Sequence, residues 1–282
     1  MISKNRLKYV RSLEMKKYRK ADNVFVAEGR KLVGDLLDVF ECTYLVATAD
    51  WLSANAPWVE RQHGLEIDEV TDDELRRISF QETPQQVLAV FRQPEYSVDV
   101  NEVAKQQLCL ALDDVQNPGN LGTIVRLADW FGIEHIFCSP ACADIYNPKT
   151  VQATMGGIAR VQVHYVDLPQ MLASLPTGIT VYGTFLDGDN IYQKTLENRG
   201  IILMGNEGKG ISPDVEAYVT ERLYIPNHPA GRPTSESLNV AIATAIVCAE
   251  FRRRTERISP RQTFGNYENK KSGIIPRTAP DP

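Results

Sequence analysis

The chain has 282 residues, of which 43% are hydrophobic and 24% are charged. These values are ordinary for globular proteins and exclude a collagen-like or generally disordered chain, and the length suggests roughly two domains. No apolar run reaches the ~20 residues that cross a bilayer, and no secretory signal is expected at the N-terminus. Five scattered cysteines, an odd number, favour the reducing cytoplasm over a disulfide framework.

The first third of the chain begins with a basic segment. Residues 1–20 hold eight basic residues and one acidic residue, which predicts a basic amphipathic helix that either contacts a polyanion or presents a solvated face. Periodicity and turn residues then predict, in chain order, strand 24–29, helix 30–40, strand 43–48, helix 71–79 and strand 85–91. The polar stretch 92–107 contains a proline and lacks a pattern, so we expect a domain boundary there.

After residue 107, strands and helices alternate. Strands such as LCLAL (108–112) and IILM (201–204) are apolar throughout, which is typical of a parallel sheet buried on both faces. The alternation predicts βαβ units, and therefore an α/β fold with a parallel sheet, preceded by the smaller N-terminal domain. Residues 257–282 are polar and aperiodic, so we expect a disordered tail.

Three loops that follow predicted strands are candidate ligand sites, because ligands of open α/β sheets lie past the carboxyl ends of the strands. The first loop opens segment 113–129. Asn120 is a candidate N-cap of the helix that follows, and Arg126 would lie in the second turn of that helix, beside the loop. The alternative is a capped helix with a surface arginine.

The second loop, MGNEGKG (204–210), is rich in glycine. Leu203 and Gly210 stand where a phosphate-binding loop needs glycine and a hydroxyl residue, and Glu207 breaks the dinucleotide-binding spacing. A nucleotide-dependent Rossmann enzyme is therefore disfavoured. An acid at a tight glycine turn indicates a residue placed near a ligand or partner, or a plain strand-to-helix turn.

The third loop opens segment 225–246 and leads into a long apolar helix. Ser235 or Ser237 is a fair N-cap for that helix. Asn239 is polar within its apolar start, and a buried asparagine needs hydrogen-bond partners. We therefore expect Asn239 to point into a site or an interface.

These loops carry three sequence patterns in a fixed order. The patterns N-x-G-x-x-x-R (120–126), M-G-x-E-G (204–208) and I-P…S-L-N-V (225–240) together resemble the motifs of the SpoU, or TrmH-type, RNA ribose methyltransferases of the SPOUT superfamily. The match covers about residues 108–254. Residues 1–95 resemble, less closely, the ribosomal-protein-like substrate-binding domain that many relatives carry in front.

The resemblance implies an organisation and a chemistry. It implies an RNA-binding domain at 1–95, a linker at 96–107, a methyltransferase domain at 108–256 whose last elements form a trefoil knot, and the tail at 257–282. It further implies S-adenosylmethionine as methyl donor, no metal, an RNA substrate, most consistent with ribosomal RNA, and a homodimer formed through the C-terminal domain. The stretch 227–236 is longer than the linker expected in this family.

Site residues carry over by motif position. The catalytic set implied by the resemblance is Asn120, Arg126, Glu207, Ser237 and Asn239. The implied methyl-donor contacts are Thr184, Met204, Gly205, Gly208, Ile225, Pro226 and Leu238. The RNA contacts expected in the basic segment are Lys16, Lys17 and Arg19. Gly205 is expected to lack a side chain because the donor's adenosine packs on its backbone, so a larger residue there would block donor binding and leave the fold intact.

Some alternatives stay open. Arg126 either orients the ribose or its neighbouring phosphate, which we favour, or removes the hydroxyl proton, which an arginine does only in a special environment. A non-catalytic RNA-binding or ribosome-assembly factor would share the basic N-terminal domain, but it would be expected to lose some motif residues. Transfer RNA is the alternative substrate.

Overall fold

The computed structural model describes residues 2–229, 235 and 237–255, without the side chains of residues 254 and 255. The predicted tail at 257–282 lies outside the described residues, and so do six of the ten residues of the longer stretch 227–236, namely 230–234 and 236. No helix in the described part of the chain is long and apolar enough to cross a membrane.

Helices and strands are distributed along the whole described chain. The α-helices are α1 (Lys4–Ser12), α2 (Lys16–Asp22), α3 (Arg30–Leu37), α4 (Ala49–Ala54), α5 (Ala56–Val59), α6 (Asp72–Ile78), α7 (Val100–Gln106), α8 (Pro118–Trp130), α9 (Pro148–Ala153), α10 (Leu168–Ala173), α11 (Pro213–Glu216) and α12 (Val240–Thr255). The strands are β1 (Val24–Glu28), β2 (Cys42–Ala47), β3 (Glu66–Glu69), β4 (Val87–Arg92), β5 (Leu108–Leu112), β6 (His135–Cys138), β7 (Gln162–Tyr165), β8 (Val181–Asn190), β9 (Gly200–Met204) and β10 (Glu221–Tyr224). A 3-10 turn spans Gly157–Ala159.

The N-terminal half is built on a four-stranded sheet of order β1-β4-β2-β3, in which only the β2/β3 pair is parallel. The helix predicted over 71–79 is α6, and Thr71 caps it: the Thr71 hydroxyl accepts from the Glu74 backbone, while the Glu74 carboxylate accepts from the Thr71 backbone. This reciprocal arrangement satisfies two N–H groups that a helix start leaves unpaired. The helix prediction at 71–79 is confirmed.

The C-terminal half is built on a six-stranded sheet of order β10-β8-β9-β5-β6-β7, and every neighbouring pair is parallel. β5 and β9 lie side by side in its middle and are buried at every position, as continuous apolar strands require. The predicted α/β fold with a parallel sheet is confirmed. Leu112 pairs with Met204, so the loops after β5 and β9 start next to each other.

Two stretches differ from prediction. The basic segment forms two helices, α1 and α2, because the chain turns at Leu13, whose side chain is fully buried in the N-terminal core. The patternless stretch 92–107 contains α7, which Asp99 caps by accepting from the Asn101 backbone at 2.9 Å. α7 buries Ala104 beneath the large sheet, so the second half of the predicted linker packs with the C-terminal half.

The trefoil knot stays a prediction, because the chain that leads into α12 passes through residues outside the described part. The close packing of α8 on α9 is visible, and it explains Gly122. A Cβ at Gly122 would lie 2.5 Å from the Ala153 Cβ and 2.5 Å from the Thr150 carbonyl oxygen. This glycine therefore serves helix packing, because no larger residue fits between the helices.

Arg19 was expected to bind RNA, and this expectation is wrong. Its side chain is 1% exposed. One guanidinium nitrogen donates to the Leu13 and Glu14 carbonyls, both at 2.7 Å, and the other pairs with the Asp144 carboxylate of the C-terminal half at 2.5 Å. A window of local sequence shows the charge of Arg19 but not the partner, which lies 125 residues away. Arg19 holds the two halves of the chain together.

Replacing Arg19 by alanine should destabilise the protein. The change leaves the Asp144 carboxylate and two carbonyls without their donor, and breaking a buried pair costs about 3–5 kcal/mol. Urea denaturation followed by circular dichroism measures the free energy of unfolding. Lys17→Ala is the matched control, because Lys17 is an exposed residue of the same helix. Equal unfolding free energies for the two variants would contradict this structural role.

Candidate active site

The three motif loops meet at the carboxyl edge of the large sheet. They follow β5, β9 and β10, and the strand order places β8 and β9 between β10 and β5. A cavity of about 500 Å³ opens among these strand ends, within the size range of pockets for small ligands. The edge of the sheet predicted from sequence is therefore the edge that carries the cavity.

Asn120 does not cap α8. Asn117 does, because its side-chain oxygen accepts from the backbone of Gly119 at 2.8 Å and of Asn120 at 3.1 Å. The Asn120 side chain is therefore free to reach across the site, where its amide nitrogen donates to the carboxylate of Glu207 in the glycine loop. The prediction of the cap was wrong by three residues, and the displaced asparagine links two motifs.

Asn239 completes this link. Its amide nitrogen donates to the Asn120 side-chain oxygen at 3.0 Å, while its own oxygen accepts from the backbone of Ala241 at 3.0 Å and of Ile242 at 3.3 Å. Asn239 therefore caps α12 in place of Ser235 or Ser237. It is exposed in the single chain, against the expectation of a buried asparagine, and both of its polar atoms are satisfied.

Ser237 joins the same network through the backbone. Its hydroxyl donates to the Glu207 carbonyl oxygen at 3.2 Å. Four of the five residues implied as catalytic, Asn120, Glu207, Ser237 and Asn239, are thus connected, and Glu207 and Ser237 also line the cavity. The connections tie together the loop after β9, the start of α8 and the start of α12.

The glycine loop is closed on itself. Asn206 and Gly210 exchange two backbone hydrogen bonds, each of 2.9 Å. A Cβ at Gly205 would lie 2.3 Å from the Gly210 carbonyl carbon and 2.4 Å from the Ile211 nitrogen. The loop itself therefore requires glycine at 205. This adds a steric reason to the expected contact with the donor's adenosine, which stays a prediction. It argues against the expectation that a larger residue would leave the fold intact.

Sequence analysis did not identify Asn206 as a site residue, although it organises the loop. Its side-chain oxygen accepts from the backbone of Gly208 at 2.9 Å and of Lys209 at 3.0 Å. Its amide nitrogen donates to the Asp114 carbonyl at 2.8 Å, which connects the loop to the end of β5. The available signal was an asparagine inside a glycine turn, since asparagine side chains readily bond to the backbone two residues on.

The first motif loop rests on a buried thiol. The Val115 backbone donates to Cys142 Sγ at 3.3 Å, and the Cys142 thiol lies 3.2 Å from the Leu112 carbonyl. Hydrogen bonds from the Cys138 thiol and the Ser139 hydroxyl lower the pKa of Cys142 to about 7. Cys138 and Cys142 are both free and buried. Within the described residues, no group of three or more His, Cys, Asp or Glu is placed to hold a metal ion.

Most of the predicted donor contacts come together. Six of the seven line the cavity: Thr184, Met204, Gly205, Gly208, Ile225 and Leu238. Pro226 follows Ile225 without being part of the lining. The walls combine apolar side chains with the backbone of a glycine loop, which is the mixture that holds a small ligand with an apolar body and polar groups. The cavity therefore fits S-adenosylmethionine.

Arg126 and the basic residues are not brought to this cavity. Arg126 lies on the exposed face of α8 and makes no hydrogen bond or ion pair with any residue that the structure describes. Lys16 and Lys17 are exposed on α2, at the other end of the same sheet edge. One chain therefore brings together the amide and carboxylate side chains of the predicted catalytic set, but it does not bring Arg126 to them.

A parallel α/β sheet with a ligand cavity and a polar network at its carboxyl edge defines a binding or catalytic α/β domain. Residues 107–249 match the model of the SpoU rRNA Methylase family, and residues 4–89 match the MRM3-like substrate binding domain. The chain therefore belongs to the SpoU rRNA methylase family.

Relatives agree with this assignment over most of the chain. A 23S rRNA (guanosine(2553)-2'-O)-methyltransferase from Bacillus subtilis is 30% identical over 86% of this chain and 94% of its own length. The structure of a protein of the TrmH family of RNA methyltransferases from Porphyromonas gingivalis is 46% identical, with a TM-score of 0.80 over 90% of this chain and 99% of that one. The AdoMet-bound rRNA methyltransferase from Sinorhizobium meliloti is 31% identical, with a TM-score of 0.77 over 90% and 96%.

Alanine at Gly205 should damage both fold and cavity. The new methyl group would meet backbone atoms that cannot rotate away, and overpacking of this kind costs about 1–3 kcal/mol. Thermal unfolding should show a lower Tm, and calorimetry should show weakened S-adenosylmethionine binding. Gly208→Ala is the matched control, because its nearest atom would be Asn206 Oδ1 at 3.6 Å. A Tm as low for Gly208→Ala as for Gly205→Ala would contradict the steric argument.

Proposed function

We propose that this protein transfers a methyl group from S-adenosylmethionine to a ribose 2'-hydroxyl of ribosomal RNA. The observation that carries the proposal is the hydrogen-bonded set of Asn120, Glu207 and Asn239 at the rim of the cavity. Three motifs of one methyltransferase family converge there in a chain that belongs to that family. The Bacillus subtilis relative, named for ribose methylation of 23S rRNA, supports the choice of ribosomal RNA.

The residues of the cavity would divide the work between them. When bound, the donor supplies an electrophilic sulfonium methyl group. The glycine loop, Ile225 and Leu238 would hold the donor and exclude water from it. The carboxylate of Glu207, fixed by Asn120, presents an acceptor at the rim that can orient a ribose hydroxyl. Holding both reactants in line accounts for much of the rate gain in such a transfer.

We propose that the protein works as a homodimer formed through α8 and α12. These two helices pack on each other, and each leaves a large apolar residue uncovered: Trp130 on α8 is 83% exposed and Ile242 on α12 is 54% exposed. A large apolar side chain left exposed on each of two packed helices supports an association surface there. Arg126 lies one helical turn before Trp130, so the interface would bring Arg126 to a site built by both protomers.

The activity itself is tested in the cell. Deleting the gene should remove one 2'-O-methyl mark from ribosomal RNA, and adding the purified protein with S-adenosylmethionine to that RNA should restore it. Mapping of 2'-O-methyl groups across ribosomal and transfer RNA reads both outcomes. Loss of a mark from transfer RNA alone would mean that the substrate is transfer RNA and not ribosomal RNA. An unchanged map, with the purified protein still binding RNA, would support the non-catalytic alternative.

Arg126 is tested by mixing two inactive variants. Arg126→Ala should lower methyl transfer by at least about a hundredfold, and Arg126→Lys should not rescue it, because lysine lacks the planar fork that grips a phosphate or aligns a hydroxyl. Thr184→Trp should fill the donor cavity. If Arg126 serves the partner's cavity, a mixture with randomly paired protomers should regain about a quarter of wild-type activity.

The mixture distinguishes the alternatives. No recovery from a mixture that exchanges protomers would mean that Arg126 acts on the cavity of its own chain. A wild-type rate of methyl transfer by the Arg126→Ala variant alone would show that Arg126 takes no part in the reaction. Light scattering supplies the control, since a mass near the 31.6 kDa of one chain would contradict the dimer.

The proposed location is the cytoplasm. All five cysteines are free in the structure. Free thiols are what a reducing compartment maintains. A ribosomal RNA substrate in a bacterial relative fits the same location.

A further inference from the structure

The outward face of α2 carries cations next to aromatic rings. Lys16 and Lys17 are exposed, and the Lys17 ammonium lies 4.8 Å from the ring centroid of Tyr18, which is 41% exposed. The Lys16 ammonium lies 5.9 Å from the ring centroid of Tyr165, which is 39% exposed and belongs to the other half of the chain. One cationic and aromatic surface therefore spans the seam between the two halves.

This surface lies on the edge of the sheet that carries the cavity. Tyr165 is the last residue of β7, so its side chain lies at a carboxyl end, as do the loops after β5 and β9. The order β9-β5-β6-β7 separates Tyr165 from the glycine loop by three strand spacings, or about 14 Å. A few nucleotides of extended RNA would bridge that distance.

The segment between the cavity and α2 would repel a phosphate chain only weakly. The loop after β6 begins Ser-Pro-Ala-Cys-Ala (139–143), without a charged residue. Asp114, after β5, lies 3.7 Å from the Lys209 ammonium, and Asp144 pairs with the buried Arg19 guanidinium. Asp167, two residues after Tyr165, is exposed and accepts from the Gln170 backbone at 2.9 Å. Glu14 and Asp22 are the acids nearest to the lysines along the chain, and they lie before and at the end of α2.

The two parts of the surface are fixed relative to each other. The Tyr165 hydroxyl donates to the Ala143 carbonyl and accepts from the Ile145 backbone, the latter at 2.7 Å. Asp144, between those two residues, holds Arg19 of α2. The same short loop thus fixes Tyr165 and the helix that carries the lysines. A preformed surface of this kind binds without the cost of ordering.

We infer that a single-stranded RNA segment next to the target nucleotide lies along this edge, from the cavity to α2. Its phosphates contact Lys16 and Lys17, and one of its bases stacks on Tyr18. Phosphate contacts from lysine and stacking on exposed aromatic rings are the two general means of holding single-stranded nucleic acid. The inference rests on the proposed function, because it takes RNA as the substrate.

Fluorescence anisotropy with a labelled oligouridine tests the surface over a series of salt concentrations. The double variant Lys16→Glu/Lys17→Glu should bind more weakly, and the slope of log affinity against log salt should fall by about 0.7 for each phosphate that the protein no longer neutralises. Tyr18→Ala should weaken binding roughly 5- to 150-fold with the slope unchanged. Tyr18→Phe should bind as the wild type does, because the ring remains.

The matched control reverses two exposed cations at the opposite edge of the sheet. Lys105 on α7 and Arg199 immediately before β9 lie at the amino ends of β5 and β9. Lys105→Glu/Arg199→Glu changes the net charge by the same amount and should leave both slope and affinity close to wild type. Calorimetry with S-adenosylmethionine should give the same donor affinity for every variant, which shows that each one is folded.

Each outcome bears on the inference separately from the function. The inferred RNA path would be overturned if the salt slope of the Lys16→Glu/Lys17→Glu variant were unchanged. It would also be overturned if the Lys105→Glu/Arg199→Glu control lowered the slope by the same amount. Equal binding of duplex RNA, with no effect of Tyr18→Ala, would overturn the single-stranded segment. The expected effects on oligouridine binding together with an unchanged 2'-O-methyl map in the deletion strain would leave the surface standing and remove the proposed function.

Discussion

The candidate site depends on Asn120, because its side chain bonds to two other motifs at once. Its amide nitrogen donates to Glu207 while its oxygen accepts from Asn239. A side-chain amide offers a donor nitrogen and a separate acceptor oxygen on one short, planar group, whereas an ionised aspartate would only accept and would face the Glu207 carboxylate. The link fixes the start of α8, the glycine loop and the start of α12 as one unit.

The glycine loop adds a second constraint on the same cavity. Gly205 leaves room for Gly210 to approach its backbone, and Asn206 connects the closed loop to the end of β5. This part of the cavity wall is therefore backbone held at both ends, and its shape does not depend on rotamers of long side chains. A wall of that kind is already in place before a ligand arrives, which is the condition for efficient electrostatic and positional catalysis.

The sequence was sufficient for the features that repeat locally. Alternating apolar strands and helices predicted the parallel sheet, and motif order predicted which strand ends carry the site. It was insufficient where a partner lies far along the chain. Asn117 and Asn120 are equally good caps by residue type, and Pro118 at the first helical position was the local signal for Asn117. The role of Asn120 depends on Glu207, 87 residues away. Arg126 is a further example, since in the proposed dimer its surroundings would come from the partner protomer.

In the basic segment, residues 1–20, the arginines and the lysines have different surroundings because their side chains differ in chemistry. Its three arginines are all engaged within the protein: Arg6 pairs with Glu66, Arg11 donates to the Ser79 carbonyl at 2.6 Å, and Arg19 is buried. Its five lysines are all exposed: Lys4, Lys8, Lys16, Lys17 and Lys20. A planar guanidinium suits fixed hydrogen bonds, whereas a flexible, hydrated ammonium suits a phosphate chain whose position varies. The charge that distinguishes this segment in the sequence therefore has two uses: its arginines fix the fold, with Arg19 joining the two halves, and its lysines stay free for the proposed contact with RNA.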